Sequence, residues 1–416
     1  MDQTFNMLGK KRVLFFVPEF PVLSETFIER ELSILERRGN IDLIVLAIKQ
    51  SEGVISDNII QKTFYKRLDV ISITFGFLNL AVKPKKFLAG FNLVMKNKQR
   101  SAFSNLYLFL KAIGYSHVIS TYKPQIILCH FLSEPSTLIM LAAIFLDVDF
   151  AISAHARDVF GKSKDQRNNA ELVSEKALYS KFIVICNARA YAACLDLVPQ
   201  ELKSKVVLNY HGIDFERLGS SVGDSLRKPD DPYIFSIGRL VTKKGYEYLI
   251  DASKILNDSG IKHAIKIAGP GPLYDSLRGK IRSNGLEEVI QIMGNGNGIP
   301  NYVAMSELYV ADIFVLPSIE TEDGDAEGIP NTILEAGFFK KPIVSTNTGS
   351  IPEFVESDVN GVLVEQKNSQ QLSNAIKRLI QDPKHAAELG ESAYQKVMEK
   401  FDLSKNVVVL ENLLLK

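Results

Sequence analysis

The feature that most constrains this chain is a pattern used twice. Short runs that are apolar at nearly every position are each followed by a segment with helical spacing. VLFFV at 13–17, IDLIVLAI at 41–48, IILC at 126–129, FAIS at 150–153, FIVIC at 182–186 and VVL at 206–208 form the first series. Runs with no polar face belong to strands covered on both sides, the situation of a parallel sheet between two layers of helices. The pattern restarts with YIFSIG at 233–238, AIKIAG at 264–269, VIQIMG at 289–294, DIFVLPS at 312–318 and PIVST at 342–346. Between the series, residues 217–232 (RLGSSVGDSLRKPDDP) read as a polar linker. At 416 residues the chain exceeds what one core ordinarily holds. The expected fold class is therefore α/β, with two doubly wound Rossmann-like domains facing a central cleft. Their boundaries fall at 1–215 and 216–400, and 401–416 forms a C-terminal helix that packs back on the first domain. In such sheets ligands collect at the carboxyl ends of the strands.

Charge and sulfur exclude several classes. Lys and Arg total 49 against 48 Asp and Glu, so the basic excess of a nucleic-acid protein is missing. The start, MDQTFNMLGKKRVLFFV, has basic residues ahead of an apolar run, but Pro18, Glu19 and Pro21 follow at once, and the run reads as a first strand rather than a leader. No apolar stretch reaches the ~18 to 20 residues that span a bilayer. Cys129, Cys186 and Cys194 are odd in number and lack CxxC spacing, which fits reduced thiols in a cytoplasmic protein. The six histidines are scattered along the sequence without an HExxH pair, and no metal site is expected. The first helix is expected to be capped by Ser24 or by a Thr26–Glu29 box, with Ile28, Leu32 and Leu35 facing inward.

One stretch departs from the alternation. Residues 62–111 carry ten Lys or Arg and a single acid, Asp69, interleaved with Phe64, Phe75, Phe77, Phe87, Phe91 and Phe103. Two readings stand side by side: a helical subdomain with a solvated basic face, or a segment that rests on anionic lipid.

The chemistry-bearing residues lie where strands end. Glu327 falls in the loop after DIFVLPS, Pro330 suits a first helical turn, and Asn331 and Thr332 then sit at a helix N-terminus, whose free N–H groups favour phosphate. Glu335 lies one turn further in, where a carboxylate can accept both hydroxyls of a ribose. After the second domain's first strand, Gly238-Arg239 and Lys244 suit a diphosphate that becomes a leaving group. In the first half, His155 and Asp158 follow FAIS, and His130 follows IILC. Each of these cues taken singly also fits an ordinary loop.

Together these segments resemble the retaining glycosyltransferases of family 4, which have the GT-B fold. GRLVTKKGYEYLI is similar to that family's diphosphate-binding motif, EGIPNTILEAG to its paired-glutamate motif, and KKPIVSTNTGSIPEFV to the strand and turn that follow. FPVLSETFIERELSIL, SAHARDVF and the acidic insert ETEDGDAEG resemble the branch that builds bacterial exopolysaccharides, including the colanic-acid type. The resemblance implies that Glu335 holds the donor ribose, Glu327 a hydroxyl of the donor sugar, and Arg239 and Lys244 the diphosphate. Gly238, Gly328, Ile329, Asn331 and Thr332 would line the donor side, and His155 would sit by the sugar at the reaction centre. Many relatives carry a glycine-rich loop after the first strand. Here that position holds PEFPVLSE, so Ser24, Glu25 and Thr26, with Asp158 and His130, are expected on the acceptor side.

The implied reaction moves a hexosyl unit from a UDP- or GDP-sugar to a hydroxyl of a lipid-linked saccharide in exopolysaccharide, capsule or O-antigen biosynthesis. Configuration would be retained, and neither a cofactor nor a metal would be required. The protein would be peripheral at the inner face of the membrane, touching anionic lipid through 62–111, with no nucleic-acid partner. A sugar-nucleotide epimerase or phosphorylase on the same fold, or a catalytically silent nucleotide-sugar-binding partner, are the competing readings.

Overall fold

The computed structural model describes residues 9–22, 25–155, 158–159, 170–223 and 228–416. It divides into two compact units, residues 1–211 with 404–416, and residues 212–403.

The first unit is built on a seven-stranded sheet of β1 (Lys11–Phe20), β2 (Ile41–Gln50), β3 (Thr63–Tyr65), β4 (Ile126–His130), β5 (Asp149–Ala154), β6 (Ile183–Ile185) and β7 (Val206–Leu208). All pairings are parallel, in the order β3-β2-β1-β4-β5-β6-β7. The second has β8 (Tyr233–Ile237), β9 (Ala264–Ala268), β10 (Ile290–Met293), β11 (Ile313–Leu316), β12 (Ile343–Thr346) and β13 (Val362–Val364), ordered β10-β9-β8-β11-β12-β13 and likewise parallel. Counting from each unit's first strand, both sheets run 3-2-1-4-5-6, and the first adds a seventh strand at the end. The direction of winding therefore reverses between β1 and β4, and again between β8 and β11. Those two reversals are where loops diverge and leave a crevice.

The apolar runs become the central strands because burial on both faces leaves them no alternative. Val13 to Val17, Ile126 to Cys129 and Ile313 to Leu316 are all buried. The strand-end hydroxyls of the second unit turn inward: Ser236 donates to Val315 O, Ser345 to Leu316 O and Thr346 to Ser318 O. These bonds lock the exits of β11 and β12, from which the site loops emerge.

Several local expectations are corrected. Helix α1 (Thr26–Arg38) buries Ile28, Leu32 and Leu35, but no Thr26–Glu29 box forms. Glu25 occupies the N-cap without a side-chain cap, and Ser24 lies outside the described residues. Glu29 is drawn elsewhere, accepting from Ser33 Oγ at 2.8 Å and from Ser56 N at 3.2 Å. Within the stretch read as linker, residues to 219 complete a short helix, Phe215–Gly219, capped by Asp214. Strands β3 and β13 were not foreseen; each is a three-residue edge strand. The last helix, Leu403–Leu415, belongs almost wholly to the first unit, where Glu411 accepts from Arg38 at 2.8 Å and Asn40 at 3.2 Å.

Helix α2 (Asp57–Ile60) precedes the basic stretch, which holds α3 (Val70–Ala81), α4 (Pro84–Met95) and the first half of α5 (Ala102–Tyr122). Asp69, its only acid, is the N-cap of α3 and accepts from Ser72 N at 2.7 Å. Phe87 and Phe91 pack against the buried Phe109, so part of the aromatic content is core. No helix among the described residues is long and apolar enough to cross a membrane.

Candidate active site

In the second unit the residues singled out from sequence gather at the β8–β11 reversal. The chain leaves β8 through Gly238 and Arg239, makes a single 3-10 turn at Thr242–Lys244, and enters the helix Tyr246–Asp258. Gly245 permits this sharp turn. Its φ is +65°, and a Cβ there would stand 1.9 Å from Pro317 O. The turn is thus pressed against the exit of β11, which delivers Lys244 to Glu327. Lys244 Nζ lies 3.1 Å from Glu327 Oε1 and Lys243 Nζ 3.8 Å from the same atom. Burial alone would raise the Glu327 carboxyl, but Lys244, Lys243 and Arg239 together outweigh it and hold it below the usual carboxylate range. An ionised carboxylate accepts hydrogen bonds and does not donate them, which suits it to a sugar hydroxyl and not to acid catalysis.

The backbone of Glu327 is braced from behind. Ser350 N donates to Glu327 O at 3.0 Å, and a Cβ on Gly349, whose φ is +57°, would fall 2.0 Å from that oxygen. The TNTGS turn after β12 therefore sets the height of the Glu327 loop. Helix Asn331–Phe338 starts two residues after Ile329, with Pro330 at its N-cap rather than inside its first turn. Asn331 and Thr332 open that helix as expected, and the Thr332 hydroxyl is buried without a partner among the described residues. Glu335 sits one turn in and is buried. Gly328 and Ile329 lie between them, partly exposed. Sequence reasoning passed over two contributors. Lys243 pairs with Asp325 of the acidic insert at 3.3 Å as well as facing Glu327. The GPGP loop after β9 supports the Arg239 segment, since Leu240 N donates to Pro270 O at 2.8 Å. Arg239, Lys243 and the insert residues Thr321 to Asp323 line a cleft of about 650 Å³ in this unit.

In the first unit a second constellation forms at the strand ends. His130 closes β4, His155 follows β5, Cys186 follows β6 and His211 follows β7. His155 Nδ1 lies 3.1 Å from His211 Nε2 and 3.7 Å from Cys186 Sγ. Phe27 of α1 packs on both rings, 4.7 Å from His155 and 4.5 Å from His211 between centroids. Glu31 lies 3.9 Å from His130 Nε2 and 3.9 Å from His211 Nδ1. Burial raises the Glu31 carboxyl to about 8, and it lowers His130 to about 3 and His211 to about 4. His155 is also pushed well down, first by burial and then by His211 and His130. The imidazoles are thus neutral at physiological pH, and His155 can serve as a hydrogen-bonding group but not as a fixed cation.

Two acceptor-side expectations change here. His130 is fully buried and stacks on His155 at 6.0 Å, so it backs His155 instead of reaching a saccharide. Asp158 is also buried. Its carboxylate accepts from His155 N at 3.0 Å and from Leu132 N at 3.2 Å, so its role is to tie the β4 and β5 exits together. Burial lifts its carboxyl to about 7 against those bonds and against Lys176, with Glu25 adding repulsion, which puts Glu25 near the same loops. Glu25 and Thr26 remain partly exposed at the start of α1. Residues far apart in the sequence also meet here. His155, Cys186 and His211 place one donor atom each within 4.8 Å of one another, the ligand types a soft ion such as zinc takes. No DxD-like acidic pair is part of this group.

Comparison with known proteins agrees with this geometry. Residues 221–396 match the family model described as glycosyl transferases group 1. An amylovoran biosynthesis glycosyltransferase of Erwinia amylovora is 33% identical over 198 residues, 48% of this chain and 47% of that protein. A glycosyltransferase assigned to colanic acid biosynthesis in Escherichia coli is 33% identical over 202 residues, 48% of each chain. The matched region thus spans about half the length of these curated relatives. Among solved structures, a glycosyltransferase from Rickettsia africae superposes with a TM-score of 0.70 at 17% identity, covering 98% of this chain and 99% of that one. Anabaena HepE in complex with UDP gives 0.69 at 16% identity, covering 97% and 98%. The whole chain therefore has the GT-B fold, residues 221–396 match the group 1 glycosyl transferases, and over about half its length the chain is similar to glycosyltransferases of exopolysaccharide biosynthesis.

Proposed function

We propose that this protein is a retaining, metal-independent glycosyltransferase that moves a hexosyl unit from a UDP- or GDP-sugar to a hydroxyl of a lipid-linked saccharide, in exopolysaccharide, capsule or O-antigen biosynthesis. The observation that carries the reading is the Lys244–Glu327 ion pair at the β8–β11 reversal, with Glu335 buried one turn inside the helix that follows. That arrangement offers a cation for the departing diphosphate and an ionised acceptor for a sugar hydroxyl. Arg239, exposed beside them, supplies a second, permanently charged donor. Gly238, Gly328, Ile329, Asn331 and Thr332 complete the donor side in this reading. His155, with Glu25 and Thr26, faces the saccharide in the first unit. UDP in Anabaena HepE supports a nucleotide donor, and a mannosyltransferase of Mycolicibacterium smegmatis, 30% identical over 162 residues, is named as GDP-mannose-dependent. Work on a lipid-linked acceptor implies peripheral contact with an anionic membrane through 62–111, on its inner face.

The test is a transfer assay with UDP- and GDP-hexoses and a lipid-linked oligosaccharide, run with excess EDTA and followed by the anomeric configuration of the product. Transfer with retention under EDTA is the expected result. Conversion of the nucleotide sugar without any acceptor would identify an epimerase instead. Binding of the nucleotide sugar with no turnover of any acceptor would identify a silent partner. Activity lost on chelation and restored by Mg²⁺ or Mn²⁺ would remove the metal-independent mechanism.

A further inference from the structure

Helix α3 reads VISITFGFLNLA, with no charged residue and only Ser72, Thr74 and Asn79 polar. A helix of that composition is ordinarily enclosed by the core. Here only one side is. Gly76 and Leu80 are buried, and Gly76 meets α5 so closely that a Cβ would fall 2.2 Å from Ile113 O. The opposite side is bare. Ile71 is 65% exposed, Leu78 60% and Val82, just past the helix end, 80%, and with the half-exposed Phe75 they recur at spacings of three and four. That is a continuous stripe one residue wide and about 16 Å long at 1.5 Å per residue. The neighbouring helices add exposed Leu88 and Met95 on α4 and Phe103, Leu106 and Tyr107 on the first turns of α5. Phe77 and Phe87 join α3 to α4, and Phe75 stacks on His117 of α5, so the three helices form one packed block.

The stretch itself is cationic apart from Asp69, but acids that flank it pair with several of its cations. Lys62 pairs with Glu36, Lys86 with Asp147, Lys111 with Glu134, and Arg100 with both Glu134 and Glu171. Lys83 donates to Phe145 O at 3.3 Å. Five of the ten cations are therefore engaged by partners outside the three helices. Lys66, Arg67, Lys85, Lys96 and Lys98 are exposed, at the ends of the helices that carry the apolar residues.

We infer that α3 lies in the surface of an anionic bilayer, its Ile71–Phe75–Leu78–Val82 stripe entering the acyl boundary while Lys85, Lys96, Lys98 and Arg67 meet the headgroups. This deepens the lipid-linked-acceptor reading and rests on it only for the choice of surface. A purely electrostatic contact would need cations without exposed apolar side chains, and a protein partner would need no set of unpaired cations flanking the stripe. The stripe and those cations together match a lipid interface. Attachment is then chiefly apolar, and salt weakens it without abolishing it.

The experiment is sedimentation of the full chain with phosphatidylcholine vesicles, with and without phosphatidylglycerol, at 0.1 M and 1 M salt, where the Debye length falls from about 10 Å to about 3 Å. Binding to the anionic vesicles should persist in part at 1 M. The variant Ile71→Ser/Leu78→Ser/Val82→Ser, whose sites are exposed, should lose binding at both salts, its partition coefficient falling by on the order of a hundredfold. Lys85→Glu/Lys96→Glu/Lys98→Glu should lose the salt-sensitive part alone. Calorimetric titration with UDP and GDP on each variant, expected unchanged, shows that the fold and the donor site survive. Complete release of the wild type at 1 M salt, or wild-type binding by the apolar variant, would overturn the inference. So would a dimer of the wild type that the apolar variant fails to form, because the stripe would then be covered by a second copy. Absence of UDP and GDP binding alongside normal vesicle binding would strike the transferase reading and leave this one standing.

Discussion

At the scale of single residues, the site is governed by one buried carboxylate and the cations that keep it charged. Lys244 is mostly shielded from solvent and its ammonium faces Glu327 at 3.1 Å, with Lys243 at 3.8 Å. Lys244→Ala should thus have two separable effects. Leaving Glu327 less compensated should cost up to about 3 kcal/mol of stability, held in check because Lys243 remains. Removing a cation from the departing diphosphate should lower kcat by on the order of 100-fold to 1,000-fold. Pairing Lys244→Ala with Glu327→Gln should restore most of the stability and none of the turnover. Recovery of kcat in the double variant would show that Lys244 serves only to balance Glu327. Glu335→Ala should weaken nucleotide binding by about 2 to 4 kcal/mol, the worth of two charge-assisted hydrogen bonds to a ribose. Unchanged affinity in a calorimetric titration would take Glu335 out of the site. The histidine constellation yields a pH prediction. Glu31 is raised from 4.5 to about 8 by burial. Its stabilising contribution is complete below 4.5 and is lost progressively as pH rises to about 8, because over that range the unfolded state ionises while the folded state keeps the proton. Glu31→Gln keeps a neutral group there. Its stability relative to wild type should grow between pH 5 and 8, by roughly 2 to 4 kcal/mol in all. A pH-independent difference in denaturant midpoints would refute this.

At the scale of elements, glycine positions show which contacts the loops depend on. Gly245 and Gly260 have similar backbone angles, φ of +65° and +71°. A Cβ at Gly260 meets nothing, whereas at Gly245 it meets Pro317 O at 1.9 Å. Gly260→Ala should therefore cost about 1 kcal/mol from conformation alone, and Gly245→Ala at least about 2 kcal/mol, with reduced donor affinity, because the turn carrying Lys244 must move. Equal Tm values for the two variants would show that the β8 turn yields freely. The same elements explain what the sequence reveals. Strands buried on both faces announce themselves as apolar runs, and β1, β4, β8 and β11, which define the two reversals, are of that kind. Three-residue edge strands such as TFY at β3 leave no such trace, since only one neighbour pairs with them. The residues proposed for the donor side stand close together in the sequence, since one loop and one helix hold Glu327, Asn331, Thr332 and Glu335 within nine positions. Phe27, Glu31, Cys186 and His211 do not. They come from three segments spread over more than 180 residues, and only the β1-β4-β5-β6-β7 order brings them together. Thr26 and Asp158 were visible as residues but not in their roles, because capping and loop-bracing depend on where neighbouring backbone N–H groups point.

At the scale of the whole molecule, the division into two units means that a donor held by residues of the second acts on the stability of that unit directly. A ligand that binds only the folded form at 100 times its Kd adds about 2.7 kcal/mol. For a unit of this size that raises Tm by about 5 °C to 10 °C, taking roughly 2 to 4 °C per kcal/mol. UDP or GDP should therefore produce such a rise, and one of the two should do so at much lower concentration, which would identify the base. The comparison with Glu335→Ala is what makes the result specific. A rise caused by general anion binding at the helix start Asn331–Phe338 would survive that substitution, because Asn331 and Thr332 and their N–H groups remain. A rise that depends on ribose recognition would vanish. Inorganic pyrophosphate provides the complementary control, since it carries the diphosphate without the ribose and should stabilise the wild type and Glu335→Ala equally. If UDP, GDP and ADP all leave Tm where it is, the second unit does not hold a nucleotide as its geometry suggests, and the proposed reaction loses its donor.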